Sequence, residues 1–373
     1  MNILILNWRD PKNPRSGGAE SVTFKYAAYW AGRGHQVIWI CNSFPNCRLG
    51  ETISRVRFIR IEPQLGFTVL QLFLTYPLFL IHSIWTTLGL LRRQKFDLVI
   101  DEIHGLPFFT PLYCRIRTIL WVCEVAGPIW DKMYPWPINQ IGKILEKLIY
   151  QIYDGVETWA ISENTRRDIL ALNSKANVKI IPLGVDPIAR PKVHKNPFPS
   201  AVFLARLVKM KGVEVALQAT RDISQKLPHF KLFLVGTGPV SYVQYLRKMI
   251  DDLNISKNVE FLGKVSESDK YEILARSHFL IHPSYKEGFG LTVLEAGLVG
   301  TPTIARAGSS MDELIKNSVS GLIFQSDGQI TDLFINWYSG DKYKFLSTNS
   351  RKMSKEFLWF NILQRSRLVT KFS

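Results

Sequence analysis

Residues 287–295 read EGFGLTVLE, two glutamates enclosing a Gly-Phe-Gly turn that opens an apolar run. The preceding HFLIHPS (278–284) has the near-continuous apolar character of a buried strand, and the residues after the turn read as a helix. A strand, a glycine turn and a helix start, in that order, suit an anion. Gly288 and Gly290 let the backbone approach a ligand closely, and the first helical turn offers unpaired N–H groups to a diphosphate. Glu295 falls about one turn into the helix, placed to accept hydrogen bonds from ribose hydroxyls. Glu287 stands on the other side of the turn, and Phe289, Leu291 and Thr292 complete the candidate binding loop. By residue type alone, the pair reads equally well as two solvated glutamates about an ordinary turn.

The strand–helix alternation continues in both directions. Upstream lie AVFLARL (201–207), KLFLVG (231–236) and NVEFLG (258–263), and downstream TPTIARA (301–307). A second set of strands begins at NILIL (2–6) and runs through QVIWIC (36–41), FDLVIDE (96–102), RTILWVCE (117–124) and GVETWAIS (155–162). Helices are expected at about 21–33, 138–153 and 164–172. Strands separated by helices predict parallel sheets covered on both faces. Between the two sets, residues 182–200 hold five prolines and no periodicity, which suits a linker. The expected organisation is therefore α/β, with domains at 1–181 and 201–345, a linker at 182–200, and a helical tail at 346–373 returning to the first domain. Ligands of such sheets bind beyond the carboxyl ends of the strands, so two facing domains would enclose a cleft for a donor and an acceptor.

The chain has 373 residues and a net charge of +16, so its partners are expected to be anionic. Nucleic acid, acidic lipid and phosphorylated substrates all fit that sign. Cys41, Cys47, Cys114 and Cys123 form no C-x-x-C pair, as expected of free thiols in a reducing cytoplasm. The opening MNILILNWRD reads as a first strand, not a signal peptide. Residues 63–91 contain no Asp, Glu, Lys or Arg and are followed by Arg92, Arg93 and Lys95. Their length alone allows a bilayer span. Pro77, Gln71, Thr75, His82 and Ser83 dilute the run, which favours helices that pack on the sheet or dip one face into the interface beside a basic rim.

The run from Asn258 to Phe324 resembles the donor half of retaining glycosyltransferases of family 4, with the GT-B fold, including two glutamates separated by seven residues. Also similar to that family are FLARLVKMKGVEVALQA (203–219), LFLVGTGP (232–239), AISENTRRDIL (160–170) and GGAE (17–20), ordered along about residues 1–325. The resemblance implies two Rossmann-like domains facing a cleft, a UDP- or GDP-sugar donor, retention of anomeric configuration, and no metal or other cofactor. It implies a diphosphate clamp by Arg206 and Lys211, two cations after a strand that can stabilise charge on a leaving group. Gly238, and Gly17 with Gly18, would admit the donor closely, and Glu287 would act at the reacting centre.

On the acceptor side, DEIHGLPFFTPLY (101–113) places His104 just past a strand end, as an acceptor-binding or proton-handling group or a structural histidine. Family members commonly carry a histidine at the end of the next strand. This sequence has Cys123 there, and Glu124 beside it is the substitute hydrogen-bonding group. The charge and residues 63–91 together suggest an enzyme peripheral to the inner face of the cell membrane, acting on a lipid-linked or polysaccharide acceptor. Alternatives are a catalytically silent or epimerase-like relative of the same fold, and a basic nucleic-acid-binding protein. The nucleic-acid reading rests on charge alone, since no reader motif is present. A dehydrogenase would need a third glycine, which LVGTGP lacks, and no D-x-D, H-E-x-x-H or Cys/His ligand spacing is present.

Overall fold

The computed structural model describes residues 1–65, 69–103, 107–189 and 191–365, arranged in two compact units: 1–127 with 140–182, and 128–139 with 183–365. Through the first unit the chain runs β1 (Asn2–Leu6), α1 (Gly18–Gly32), β2 (Gln36–Asn42), β3 (Gly50–Ile53), β4 (Val56–Ile61), α2 (Val69–Arg93), β5 (Leu98–Ile103) and β6 (Thr118–Val122). Helix α3 (Pro128–Met133) groups with the second unit, and the first resumes with α4 (Ile138–Ile152), β7 (Glu157–Ala160), α5 (Glu163–Leu172) and β8 (Asn177–Ile180).

The first sheet has the order β3-β4-β2-β1-β5-β6-β7-β8, parallel except for the β3–β4 hairpin. Strands β1 and β5 are its centre, with Leu4 opposite Val99 and Leu6 opposite Asp101. Helices cover both faces, so β1 is apolar from Ile3 onward and β5 is apolar except for the buried Asp101 and Glu102. One face carries an aromatic layer: Tyr26 and Trp30 of α1 meet Trp121 of β6 and Trp159 of β7, with centroids 5.4 Å (Tyr26–Trp121), 5.5 Å (Trp121–Trp159) and 6.4 Å (Trp30–Trp159) apart. The opposite face buries Leu4, Leu6 and Val99 under Phe79 of α2, and Leu120 and Val122 under Tyr150 of α4 and the following Tyr153. The register Asp101↔Leu120 and Ile103↔Val122 puts those residues on one side of the pleat. Helices α2 and α4 therefore cover the same face.

The second unit comprises β9 (Ser200–Leu204), α6 (Val213–Lys226), β10 (Lys231–Val235), α7 (Val240–Asp252), β11 (Val259–Gly263), α8 (Glu267–Arg276), β12 (Phe279–His282), α9 (Leu291–Leu298), β13 (Thr303–Arg306), α10 (Met311–Leu314), β14 (Leu322–Phe324), α11 (Gln329–Trp337), α12 (Gly340–Glu356) and α13 (Trp359–Arg365). Its sheet, β11-β10-β9-β12-β13-β14, is parallel throughout. Strand order reverses between β9 and β12, the switch point beyond which open α/β sheets bind ligands. Helix α9 packs tightly on α12: a β-carbon at Gly297 would stand 2.0 Å from the Ser354 hydroxyl.

Three features differ from the sequence-based expectation. The hairpin at residues 50–61 carries an alternating edge strand too short to stand out by periodicity. Helix α1 begins at Gly18, earlier than residue 21, because Glu20 caps it by accepting from the Gly17 N–H at 2.8 Å. Helix α2 continues through Pro77.

Candidate active site

In the second unit, the groups following β9 and β12 converge at the switch point. Lys211 ends a short 3-10 turn (Lys209–Lys211), and Gly212 after it adopts φ 69°. A β-carbon at Gly212 would lie 2.4 Å from the Pro283 carbonyl oxygen, so only glycine lets the β9 loop pass this close to the end of β12. That approach brings Lys211 Nζ to 2.8 Å from Glu287 Oε2, while Nε2 of His282, the last residue of β12, stands 3.2 Å from the same oxygen. Burial opposes the charge on Glu287, but Lys211 and then His282 outweigh it and hold the carboxyl well below the usual carboxylate range. Ser310 Oγ also donates to the Glu287 carbonyl, at 3.0 Å.

Gly290, at φ 106°, caps α9 with no side-chain acceptor, and a β-carbon there would meet Met311 at 2.3 Å. The first turn of α9 is therefore fixed by packing; Val293 N–H bonds the Gly290 carbonyl at 3.0 Å, and no side chain caps the N–H groups ahead of it. Glu295 accepts from Lys270 Nζ at 2.9 Å. Burial raises its pKa although Lys270 opposes the shift. Arg206, beyond β9, is exposed and makes no ion pair among the described residues. Phe289 faces inward against Phe357, with centroids 6.1 Å apart, so its side chain anchors the loop and is not available to a ligand. Gly238 has a structural duty too: a β-carbon would lie 2.0 Å from the Leu207 carbonyl oxygen, where the β9 and β10 loops bond through Leu207 N–H and Thr237 O at 2.8 Å. Leu291 and Thr292 are half-buried at the start of α9.

In the first unit, the switch point between β1 and β5 gathers acids. Glu102, near the end of β5, is fully buried, and accepts from Asn7 Nδ2 at 2.6 Å and from the Cys123 thiol at 3.6 Å. Burial pushes its pKa up to about 8, so it is largely protonated at neutral pH. The Cys123 thiol is raised well above its ordinary value, by burial first and then by Glu102, and is no thiolate nucleophile. Glu20, also buried, pairs with Arg9 at 3.4 Å. A β-carbon at Gly17 would meet nothing closer than 3.8 Å, so packing within the chain does not demand glycine there. Asp101 is locked by the Thr110 hydroxyl at 2.6 Å and Tyr153 at 2.5 Å, which ties Thr110 to the end of β5. His104 itself lies outside the described residues, and Glu124 is half-buried just past β6.

Two family models together match residues 16–353. Residues 16–188 match "Glycosyltransferase Family 4" and residues 186–353 match "Glycosyl transferases group 1". The chain is a family 4-type, group 1 glycosyltransferase with the GT-B fold. A GDP-mannose-dependent alpha-(1-6)-phosphatidylinositol monomannoside mannosyltransferase of Mycobacterium tuberculosis is 28% identical over 209 residues, covering 51% of this chain and 53% of that protein. Among solved structures, sucrose-phosphate synthase from Thermosynechococcus elongatus superposes with a TM-score of 0.83 at 18% identity, covering 100% and 98% of the two chains. Anabaena HepE in complex with UDP and glucose gives 0.75 at 16%, covering 100% and 99%.

This glycosyltransferase holds several groups that sequence reasoning passed over. His282 was legible only as the end of a strand, and its bond to Glu287 comes from the turn that folds back over it. Lys270 lies on a solvated-looking helix face, and its partner Glu295 is 25 residues away. Glu102 read as the acidic end of a strand, without its buried partners Asn7 and Cys123. Among the described residues no three His, Cys, Asp or Glu side chains gather as a metal site.

Proposed function

We propose that this glycosyltransferase moves a sugar, with retention, from a nucleoside diphosphate sugar bound at the β9/β12 switch point onto a lipid-linked or polysaccharide acceptor at the inner face of the cell membrane. The observation that carries the donor half is the Lys211–Glu287–His282 cluster beside the open N-terminal turn of α9. There Arg206, Lys211 and the α9 N–H groups would bind the diphosphate and stabilise its charge as it leaves. Glu295 would take the ribose hydroxyls through the oxygen that Lys270 does not occupy. Glu287, kept ionised, is aimed at developing positive charge near the anomeric carbon. The acceptor oxygen bonds to that carbon as the bond to the diphosphate breaks, and the acceptor proton departs with the diphosphate. Gly17 and Gly18 would admit the donor phosphate to the first unit, with His104 and Glu124 serving the acceptor.

Membrane attachment is supported by two unpartnered helix faces. Leu74, Leu78, Ile81 and Trp85 form one exposed stripe along α2, with Leu74 61% and Trp85 74% accessible. Ile141, Ile144, Leu145 and Leu148 form another along α4. The exposed Arg92, Arg93, Lys95 and Lys147 flank them, while the one carboxylate of α4, Glu146, accepts from the Ala126 and Gly127 N–H groups. Apolar stripes edged by cations suit an anionic bilayer met in its plane. Phe79 packs into the sheet from the other side of α2, which holds that helix on the protein although its length and composition would allow a span.

Thermal-shift binding against UDP- and GDP-sugars, with wild type beside Glu295→Ala and Arg206→Ala, tests the donor half. Stabilisation by one sugar nucleotide that both substitutions abolish supports it, and product anomers read by NMR test retention. Cys123 offers a buried thiol where family members commonly hold a histidine. Tight sugar-nucleotide binding without transfer would therefore favour the catalytically silent reading.

A further inference from the structure

A cavity of about 330 Å3 opens in the first unit beyond the carboxyl ends of β1, β2 and β4. Its walls include Trp8, Arg9, Arg15, Ser43, Phe44 and Leu65, and among the described residues no Asp or Glu lines it. The wall is built in advance. The Asn42 amide is fully committed, donating to Ile61 and Pro63 carbonyls at 3.2 and 2.6 Å and accepting from Leu65 N–H at 2.8 Å. Asp10, ion-paired to the buried Arg60, accepts from the Lys12 and Asn13 N–H groups at 2.7 and 3.1 Å and fixes the loop that carries the arginines.

Against that rigid wall, two donors, Ser43 and Arg9, have capacity to spare, and Arg15 stands beside them. Ser43 is 3% exposed, and its hydroxyl has no partner among the described residues. Arg9 meets Glu20 and the Arg15 carbonyl only at 3.4 Å each, using one nitrogen of a fork with five N–H donors. The Arg15 pKa is lowered, by burial and then by Arg9, so two like charges are held close at the cavity edge.

We propose that this cavity binds a phosphate ester borne on a polyol, the phosphoryl group between Arg9 and Arg15 and the carbon skeleton against Trp8 and Phe44. Resting on the transferase reading, its occupant is the acceptor, which carries its phosphate either as a lipid headgroup or as a soluble sugar or glycerol phosphate. A bidentate guanidinium–phosphate contact supplies the affinity, and a rotation of Ser43 about χ1 adds a donor.

The test is arginine modification of the full-length protein by phenylglyoxal, followed peptide by peptide. Glycerol 3-phosphate, UDP, phosphatidylcholine vesicles and vesicles doped with phosphatidylglycerol are the probes. Glycerol 3-phosphate or the anionic vesicles are expected to slow modification of Arg9 and Arg15 while leaving exposed Arg221 unchanged. Protection by vesicles alone assigns the headgroup, and protection by the soluble ester assigns a soluble acceptor. Arg15→Gln should weaken the protection of Arg9 by about tenfold or more, the worth of one charged hydrogen bond. The proposal is overturned if neither probe protects, if Arg221 slows equally, if Arg15→Gln changes nothing, or if UDP protects as well as the ester. Thermal stabilisation by UDP reports separately on the second unit. Its absence in the wild type counts against the transferase reading and leaves the anion site to the protection data.

Discussion

Replacing Lys211 by methionine keeps the length of the side chain and removes the cation 2.8 Å from Glu287. At that separation the gross attraction is about 6 kcal/mol for an effective dielectric of 20. Breaking a buried pair costs roughly 3–5 kcal/mol. Both side chains keep 19% exposure, and His282 stays 3.2 Å away, so the expected loss at pH 7 is about 2–3 kcal/mol. The pH dependence is the sharper readout. In the wild type the folded pKa of Glu287 is depressed, so its contribution is present above the unfolded value of about 4.3 and is lost as pH falls below it. In Lys211→Met, burial acts against the remaining charge and raises the folded pKa above the unfolded one, so this residue's contribution falls as pH rises from about 4. Urea denaturation of both proteins between pH 4 and 8, with Lys211→Met/Glu287→Gln alongside, resolves the two slopes. The second substitution should restore most of the loss, because it removes the stranded charge. Parallel pH profiles for wild type and Lys211→Met, or no recovery in the double variant, would refute the coupling.

Other outcomes rest on the same geometry. Gly212→Ala should cost about 2–4 kcal/mol in chemical denaturation, since the left-handed backbone and the Pro283 oxygen 2.4 Å away both resist a methyl. Glu102 is raised to about 8, so wild-type stability should fall as pH rises from about 4.3 to 8 through this residue. Glu102→Gln, an uncharged shape match, should flatten that decline in melting temperature, and an unchanged profile would mean the carboxyl is solvated. Arg206→Ala should lower kcat by about 10²–10³-fold if its guanidinium meets the leaving diphosphate. A change confined to KM would reduce it to a ground-state contact. Trp85→Asp with Leu145→Asp should abolish co-sedimentation with anionic vesicles while leaving UDP-induced stabilisation unchanged, because both positions sit on outer helix faces.

The sheets were largely legible because their strands announce themselves as short apolar runs bounded by glycine and proline. The edge hairpin at residues 50–61 escaped for the opposite reason: GETI alternates over four residues, too few to exceed chance. At the site, the strand–turn–helix order singled out Glu287 and Glu295, and the family resemblance singled out Arg206 and Lys211; of these the structure brings Lys211 to Glu287. What could not be read was which groups neutralise one another. Lys211 and Glu287 are 76 positions apart, and Lys270 and Glu295 are 25 apart. Sequence periodicity carries no information over such intervals. Burial was hidden as well, and it makes Cys123 a thiol donating to a largely protonated Glu102.

The glycines divide into those the fold requires and those it does not, and the division bears on function. Gly212, Gly236, Gly238, Gly290 and Gly297 each face an atom within 2.4 Å of where a β-carbon would stand, so packing alone explains them. Gly17 faces nothing closer than 3.8 Å and lies in extended backbone open to any residue. A side chain there would project at the start of α1, where the helix offers N–H groups. Its absence makes sense if another molecule needs the space. Gly17→Ala should accordingly leave thermal stability within about 0.5 kcal/mol, as an unstrained surface change does, while reducing transfer from the donor. Equal activity in the variant would show that the opening at Gly17 serves no ligand.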